Sequence, residues 1–248
     1  MKLFVHQFRA EQLIYWRSRE SAVFTFIFPL ILFLLLGSVY TGRIYGVPAS
    51  QALLAALLAY GCVMVAFAGL SITLVIRREN AVLKRLRGTP LPLGAYVAGV
   101  VASTLLVFVL ETITLFVLGR FVFDTPWPSQ VFSLALLLVL GTVCFTAMGI
   151  GLTGLIRSAE GASAIVNLIV LPMAFLCGAF GPTTHYPPFL RAIGDVLPLK
   201  YFVILSNAIY LHGKQLWDRP WAVLALLAWG AIGLAVARTR FRWEPRQN

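Results

Sequence analysis

An all-α polytopic membrane protein with six transmembrane helices is the fold class this sequence predicts, and three observations carry the prediction. Charged residues occupy only 12% of the 248 positions, about half the ~25% of a soluble domain. Mean hydropathy is +0.87, and 60% of the residues are apolar. These apolar residues come in long runs of about 20, the length a helix needs to cross a hydrocarbon core of about 30 Å. The whole chain, 1–248, reads as one transmembrane domain.

Residues 1–21 predict a short interfacial helix on the cytoplasmic membrane surface. Phe4, Phe8 and Tyr15 share a stripe, and Lys2, Arg9, Arg17, Arg19 and Glu20 supply charge. Spans one to five fill 22–180, as Ala22–Tyr40, Leu53–Ile76, Ala95–Phe123, Phe132–Ile156 and Ala162–Phe180. Span six is Trp221–Ala237, followed by a tail, 238–248. Before it, 181–220 is too polar and proline-rich to cross, yet contains the apolar stretch Leu199–Leu211. That stretch is too short to span and has the length of a re-entrant piece. Two short helices broken near Pro198 are expected there, dipping into the outer leaflet. Pro182, Pro198, Tyr201, Phe202 and Leu205 mark the segment. The alternative is a plain extracellular loop, which would leave Phe202, Ile204, Leu205, Ile209 and Tyr210 in water.

The net charge of +11 would suggest nucleic acid in a soluble protein. Here topology accounts for it, and no nucleic-acid partner is expected. With both termini cytoplasmic, 14 of the 20 Lys and Arg fall in 1–21, 77–94, 157–161 and 238–248, as the positive-inside rule requires. Cys62, Cys144 and Cys177 lie in separate apolar runs and read as small buried hydrophobes. The first long apolar run lacks a small-residue cleavage site after it, so no cleavable signal is expected. No internal repeat stands out, which counts against inverted-repeat secondary transporters.

No catalytic constellation appears. His6, His185 and His212 are far apart, and no Ser/His, Cys/His, paired-carboxylate or metal-ligand spacing is present. The Gly213-Lys214 pair is followed by Gln215, and Ala208 stands where a phosphate loop needs its first glycine. No cofactor or metal is expected on this chain. Glu111 is the one acid clearly inside a span, in its outer half by residue count, and an ionisable residue there is by default a functional candidate. It would line a polar substrate cavity, or bond a Thr or Tyr of a neighbouring helix, or pair with Arg120. Asn167, in span five, reads as helix–helix glue before it reads as a substrate ligand.

"RRENAVLKRLRGTPLPLGAY", residues 77–96, concentrates five positive charges in its first eleven positions. Taken as a helix over 78–87, it places Val82, Leu83 and Leu86 on one face. Arg78, Lys84, Arg85 and Arg87 occupy much of the rest, with Glu79 interrupting, and Pro90 and Pro92 stop the helix. From composition alone this is either a lipid-headgroup anchor or a docking helix. The stretch resembles the cytoplasmic segment between spans two and three of type-2 ABC transporter permeases. "IYWRSRESAVFTFIFPLILFLLLG" is similar to that family's N-terminal interfacial helix running into span one, with "RSRES" replacing its frequent Arg-(Asp/Asn)-Pro. "GIGLTGLIRSAEGASAIVNLIVLPMAFLCGAFGP" resembles span four, the inner turn and span five, with Cys177-Gly178 where Ser-Gly is usual. "LPLKYFVILSNAI" resembles the segment before the last span.

The resemblance implies a fold and a mechanism. Two permease copies, as a homo- or heterodimer, would face each other in the bacterial plasma membrane among its lipids. Each would dock on a separate cytoplasmic ATPase subunit, which alone binds ATP and Mg. Residues 78–87 would be the coupling helix, and Arg157, Ser158 and Glu160 a second contact. Substrate, a drug, lipid, glycan or similar amphipath, would leave past the re-entrant segment. The alternative from a different class is an ion-coupled secondary transporter using Glu111. A third is a membrane scaffold or an integral enzyme.

Overall fold

In hydrocarbon a backbone must satisfy its own hydrogen bonds, so a chain of this composition crosses as helices. The computed structural model describes residues 2–241. Among them are six helices long and apolar enough to cross a membrane. They are α2 (Arg19–Val39), the continuous Ala49–Glu79, α6 (Leu93–Phe123), α7 (Val131–Thr153), α8 (Ala159–Cys177) and α11 (Pro220–Arg240). These are spans one to six. Their ends differ from the expected bounds by about one turn at most, chiefly because backbone bonding continues past the apolar run. Residues 242–248 of the expected tail lie outside the described residues.

Span two comprises α3 (Ala49–Cys62), a π-helical stretch Val63–Gly69 and α4 (Leu70–Glu79). It is the axis of the bundle: 83% of its apolar window is buried, against 17% for span one. Beyond it, Asn80 and Ala81 turn the chain before α5 (Val82–Arg87). Ala81 adopts φ 53, a left-handed conformation no helix tolerates. The single helix expected over 78–87 is therefore two pieces: Arg78 and Glu79 finish span two, and only 82–87 form the connecting helix. The sequence reading also has only a connecting segment where a two-residue hairpin occurs. There β1 (Arg43–Ile44) pairs antiparallel with β2 (Val47–Pro48), turned by Tyr45 and Gly46 at positive φ as a tight hairpin turn requires.

The segment before span six is helical. α9 (Pro188–Val196) and α10 (Pro198–Tyr210) meet at 86°, with Leu197 extended because a proline follows it. α10 is no plain loop. Phe202 and Leu205 are fully buried, the Phe202 ring lies on Gly141 beside Cys62, and Ser206 Oγ donates to the Ala55 carbonyl at 2.7 Å. Pro198 is buried, while Tyr201 and Pro182 are half-buried.

Small residues set the tightest packing. At the span four–span six seam, a Cβ added to Gly233 would lie 2.5 Å from Met148 Cα, and one on Gly230 would lie 2.9 Å from Cys144 Sγ. Such close approach drives helix association in lipid, where apolar burial contributes little. α1 (Lys2–Arg17) lies along span three in the same way. Gly99 receives the Gln7 side chain, and Gln12 Nε2 donates to Ser103 Oγ at 2.7 Å.

Gly233→Leu is expected to force these helices apart at a cost of about 1–3 kcal/mol, read as a lower melting temperature of the detergent-purified protein. Gly94→Leu, where nothing lies within 4 Å of the added Cβ, is expected to leave it unchanged.

Candidate functional site

Successive residues of a helix point about 100° apart, so neighbours in sequence do not face one another. At the last turn of span two this puts Arg77, Arg78 and Glu79 against three different parts of the chain. Arg77 reaches α1. Its Nη1 and Nη2 donate to Glu11 Oε1 and Oε2 at 2.8 and 2.7 Å, a bidentate fork matching carboxylate geometry. Gln7 Nε2 also donates to Glu11 Oε1, at 2.7 Å, and the Tyr96 hydroxyl accepts from Arg77 Nη1 at 3.3 Å. The two charged side chains are only 12% and 9% exposed.

Arg78 points the other way and is buried. It donates to the Thr153 and Ile156 carbonyls, each at 2.8 Å, and to that of Arg157 at 3.4 Å. These carbonyls lie at and just past the end of span four, where a helix leaves acceptors unpaired and its dipole favours a cation. Glu79 meets the complementary end: its Oε1 accepts from the Ala159 N–H at 2.7 Å. That is the first residue of span five, where orphan donors and the dipole favour an anion. Ser158 caps the same helix, its Oγ accepting from the Gly161 N–H at 3.2 Å. Arg157, Ser158 and Glu160 are exposed around this turn.

α5 is fixed by apolar contact. Leu83 is fully buried in a cluster with Leu70, Leu74, Tyr96 and Val100, and Leu86 packs against it. The Val82/Leu83/Leu86 face expected to meet a partner is thus mostly turned inward, because the 80–81 turn rotates the helix back onto its own spans. Val82, Lys84, Arg85 and Arg87 are exposed. Arg78 and Glu79, expected among the docking charges, are instead internal ties.

The remaining candidates stand apart from this end. Glu111 is 1% exposed, and among the described residues neither carboxylate oxygen has a hydrogen-bond partner. It packs on Gly61, where an added Cβ would fall 2.5 Å from its Oε1. Arg120 is committed to Asp124 at 2.6 Å, so the expected Glu111–Arg120 pair is not formed, nor is one with a Thr or Tyr. Along its helix Glu111 lies about 27 Å from Leu93 at the inner end and about 18 Å from Phe123 at the outer end, at 1.5 Å per residue. Asn167 is exposed on span five, and among the described residues no other helix bonds its side chain. The re-entrant residues sit at the opposite end and core of the bundle.

Sequence reasoning did not nominate Arg77 or Glu11, although a signal existed. Residues 4, 8, 11 and 15 share one helix face, so Glu11 is a carboxylate within the Phe4/Phe8/Tyr15 stripe. A carboxylate buried there requires a buried cation.

With the geometry in place, comparison with known proteins is informative. The sequence profile of the ABC-2 type transporter family matches residues 3–211. The chain is similar to YvfS of Bacillus subtilis (strain 168), named a transport permease: 25% identity over 170 residues, 68% of each chain. It is 26% identical over 182 residues to the linearmycin resistance permease LnrN of the same strain, covering 73% of this chain and 46% of LnrN. YbhR of Escherichia coli (strain K12), named for multidrug ABC transport, is 21% identical over 161 residues, 64% of this chain and 44% of YbhR. The chain thus spans about two thirds of YvfS and less than half of the other two.

Removing one partner of a buried ion pair costs about 3–5 kcal/mol. Arg77→Glu is therefore expected to lower the melting temperature sharply, and the exchange Glu11→Arg/Arg77→Glu to recover at least half the loss. A double-mutant cycle with no coupling would contradict the pairing.

Proposed function

The chain belongs to the ABC-2 type transporter family, as a membrane subunit of an ABC transporter, and on that premise we propose a specific role. It exports an amphipathic substrate, such as a drug, lipid or glycan, from a bacterial cell. It acts as a dimer whose ATP hydrolysis takes place, with Mg, on separate cytoplasmic ATPase subunits. Both of its termini face the cytoplasm. The substrate class draws on LnrN and YbhR, whose names tie them to linearmycin resistance and multidrug transport.

The observation that carries the coupling proposal is the pinning of α5. A six-residue helix anchored inward by Leu83 cannot move without span two and the start of span three. It presents Val82, Arg85 and Arg87 outward. A partner that pushes on this helix also pushes, through the adjoining Arg77, Arg78 and Glu79, on α1 and on the span four–span five turn. Support for a second copy comes from Asn167. A polar side chain on an exposed, membrane-depth face is costly in lipid and is satisfied across an interface between helices of two chains.

Arg85→Glu/Arg87→Glu is the discriminating variant, since it leaves the buried Leu83 anchor untouched. Membrane insertion and melting temperature are expected to stay as they are, while co-purification of the ATPase falls at least tenfold. Unchanged co-purification together with unchanged ATP-dependent transport in liposomes would sink the docking role.

A second reading has its own observation, the unpartnered Glu111. In an ion-coupled transporter Glu111→Gln would abolish transport driven by an ion gradient. Under the ABC reading, ATP-dependent transport in liposomes without a gradient is expected to stay within about threefold of the parent. Loss of gradient-driven transport with no dependence on an ATPase would reverse the preference.

A further inference from the structure

At the end of the bundle opposite the basic α5, a cleft of about 290 Å³ opens between the hairpin turn, the end of α10 and the start of span six. Ile204, Ala208 and Leu211 give it apolar lining, and Tyr45 and Trp221 add aromatic surface. Asn207, His212 and Arg219 supply the polar lining, and no carboxylate takes part. Among the described residues Arg219 has no ion-pair partner. Asn207 Oδ1 is shut off from solvent and accepts no hydrogen bond.

We propose that this cleft binds the headgroup of an anionic membrane phospholipid. Four features select that occupant. An unpaired guanidinium is a planar fork suited to phosphate, and His212 adds a ring N–H. With no carboxylate in the lining, a headgroup cation such as choline's finds no counter-charge there, and a net-anionic headgroup is favoured. The volume sits at the lower edge of the ~300–1,000 Å³ of small-molecule sites, so it accommodates a headgroup with its first methylenes and not a drug-sized molecule. The level is also right. Tyr45 and Trp221 are exposed with Trp127 and Trp217 at this same end, where aromatic belts mark the depth of lipid headgroups. The apolar lining then meets the glycerol backbone and upper acyl chain. The site is independent of the transport reading and of the identity of any substrate.

The test is binding to the purified full chain in detergent, followed by native mass spectrometry and by quenching of tryptophan with brominated lipid. Dioleoyl phosphatidylglycerol is expected to bind at least tenfold more tightly than diolein and at least threefold more tightly than dioleoyl phosphatidylcholine. Arg219→Gln is expected to weaken phosphatidylglycerol at least tenfold, and Arg219→Lys to retain most of the binding. Lys214→Gln, a charge outside the cleft, is expected to change nothing, and Trp221→Phe to remove the quenched component. Equal binding of phosphatidylglycerol and diolein, or no effect of Arg219→Gln, overturns the site. Displacement of the lipid by low millimolar inorganic phosphate would assign the same pocket to a soluble anion and overturn the lipid source.

Discussion

Two helix ends of opposite polarity meet one helix that carries a cation and an anion in consecutive positions, and the basic end of this protein is arranged around that fact. Span four finishes with unpaired carbonyls and span five starts with unpaired N–H groups only a few residues later. Arg78 answers the first and Glu79 the second. Neither could be exchanged for the other without setting like partial charges together. Because the two side chains leave span two about 100° apart, the same turn fixes the direction of two further helices. Arg77, on a third direction, fixes α1 through Glu11. The cost of taking these ions out of water is several kcal/mol each, and the hydrogen bonds they form at this end are what offset it.

Elsewhere the bundle is held by close approach. Glycines between spans four and six admit the neighbouring backbone, and Gly141 admits the Phe202 ring of α10, which Phe108 and Phe145 flank at 6.4 and 6.3 Å. Spans two, four and six with α10 therefore make a body with little room to deform. Span one is the least covered, with 17% of its apolar window buried, followed by span six at 28% and span five at 33%, span six being tied to span four by the glycine seam. A displacement entering through α5 meets the rigid body at Leu83 and the peripheral elements at Arg77 and Glu79.

Much of this could be read from the sequence. Long apolar runs located the six spans, and Pro198 located the break between α9 and α10, because length and proline geometry act locally. Side-chain direction at the connecting helix could not be read. The heptad-like spacing of Val82, Leu83 and Leu86 identifies an apolar face but not what it faces, and one left-handed residue, Ala81, turns Leu83 inward. Arg78 looked like one charge in a basic run. Its role depends on carbonyls 75 and 78 positions away in the chain, and no local pattern reports contacts of that range. Glu11 is the intermediate case, since its place in an aromatic stripe announces a buried partner without naming Arg77.

Burial of Leu83 also changes the kind of contact a docking partner can make. Had the leucine face pointed outward, association would rest on apolar area and be indifferent to salt. With that face used internally, what the chain offers is a rim of guanidinium groups at Arg85 and Arg87 around Val82. Such a surface selects an acidic partner, speeds encounter by steering and loses strength as ionic strength rises. Under the proposed coupling, attachment would rest on the exposed side chains of this six-residue helix and transmission on its buried leucine. The proposed docking would therefore weaken with Arg85 and Arg87, while the proposed transmission would weaken with Leu83.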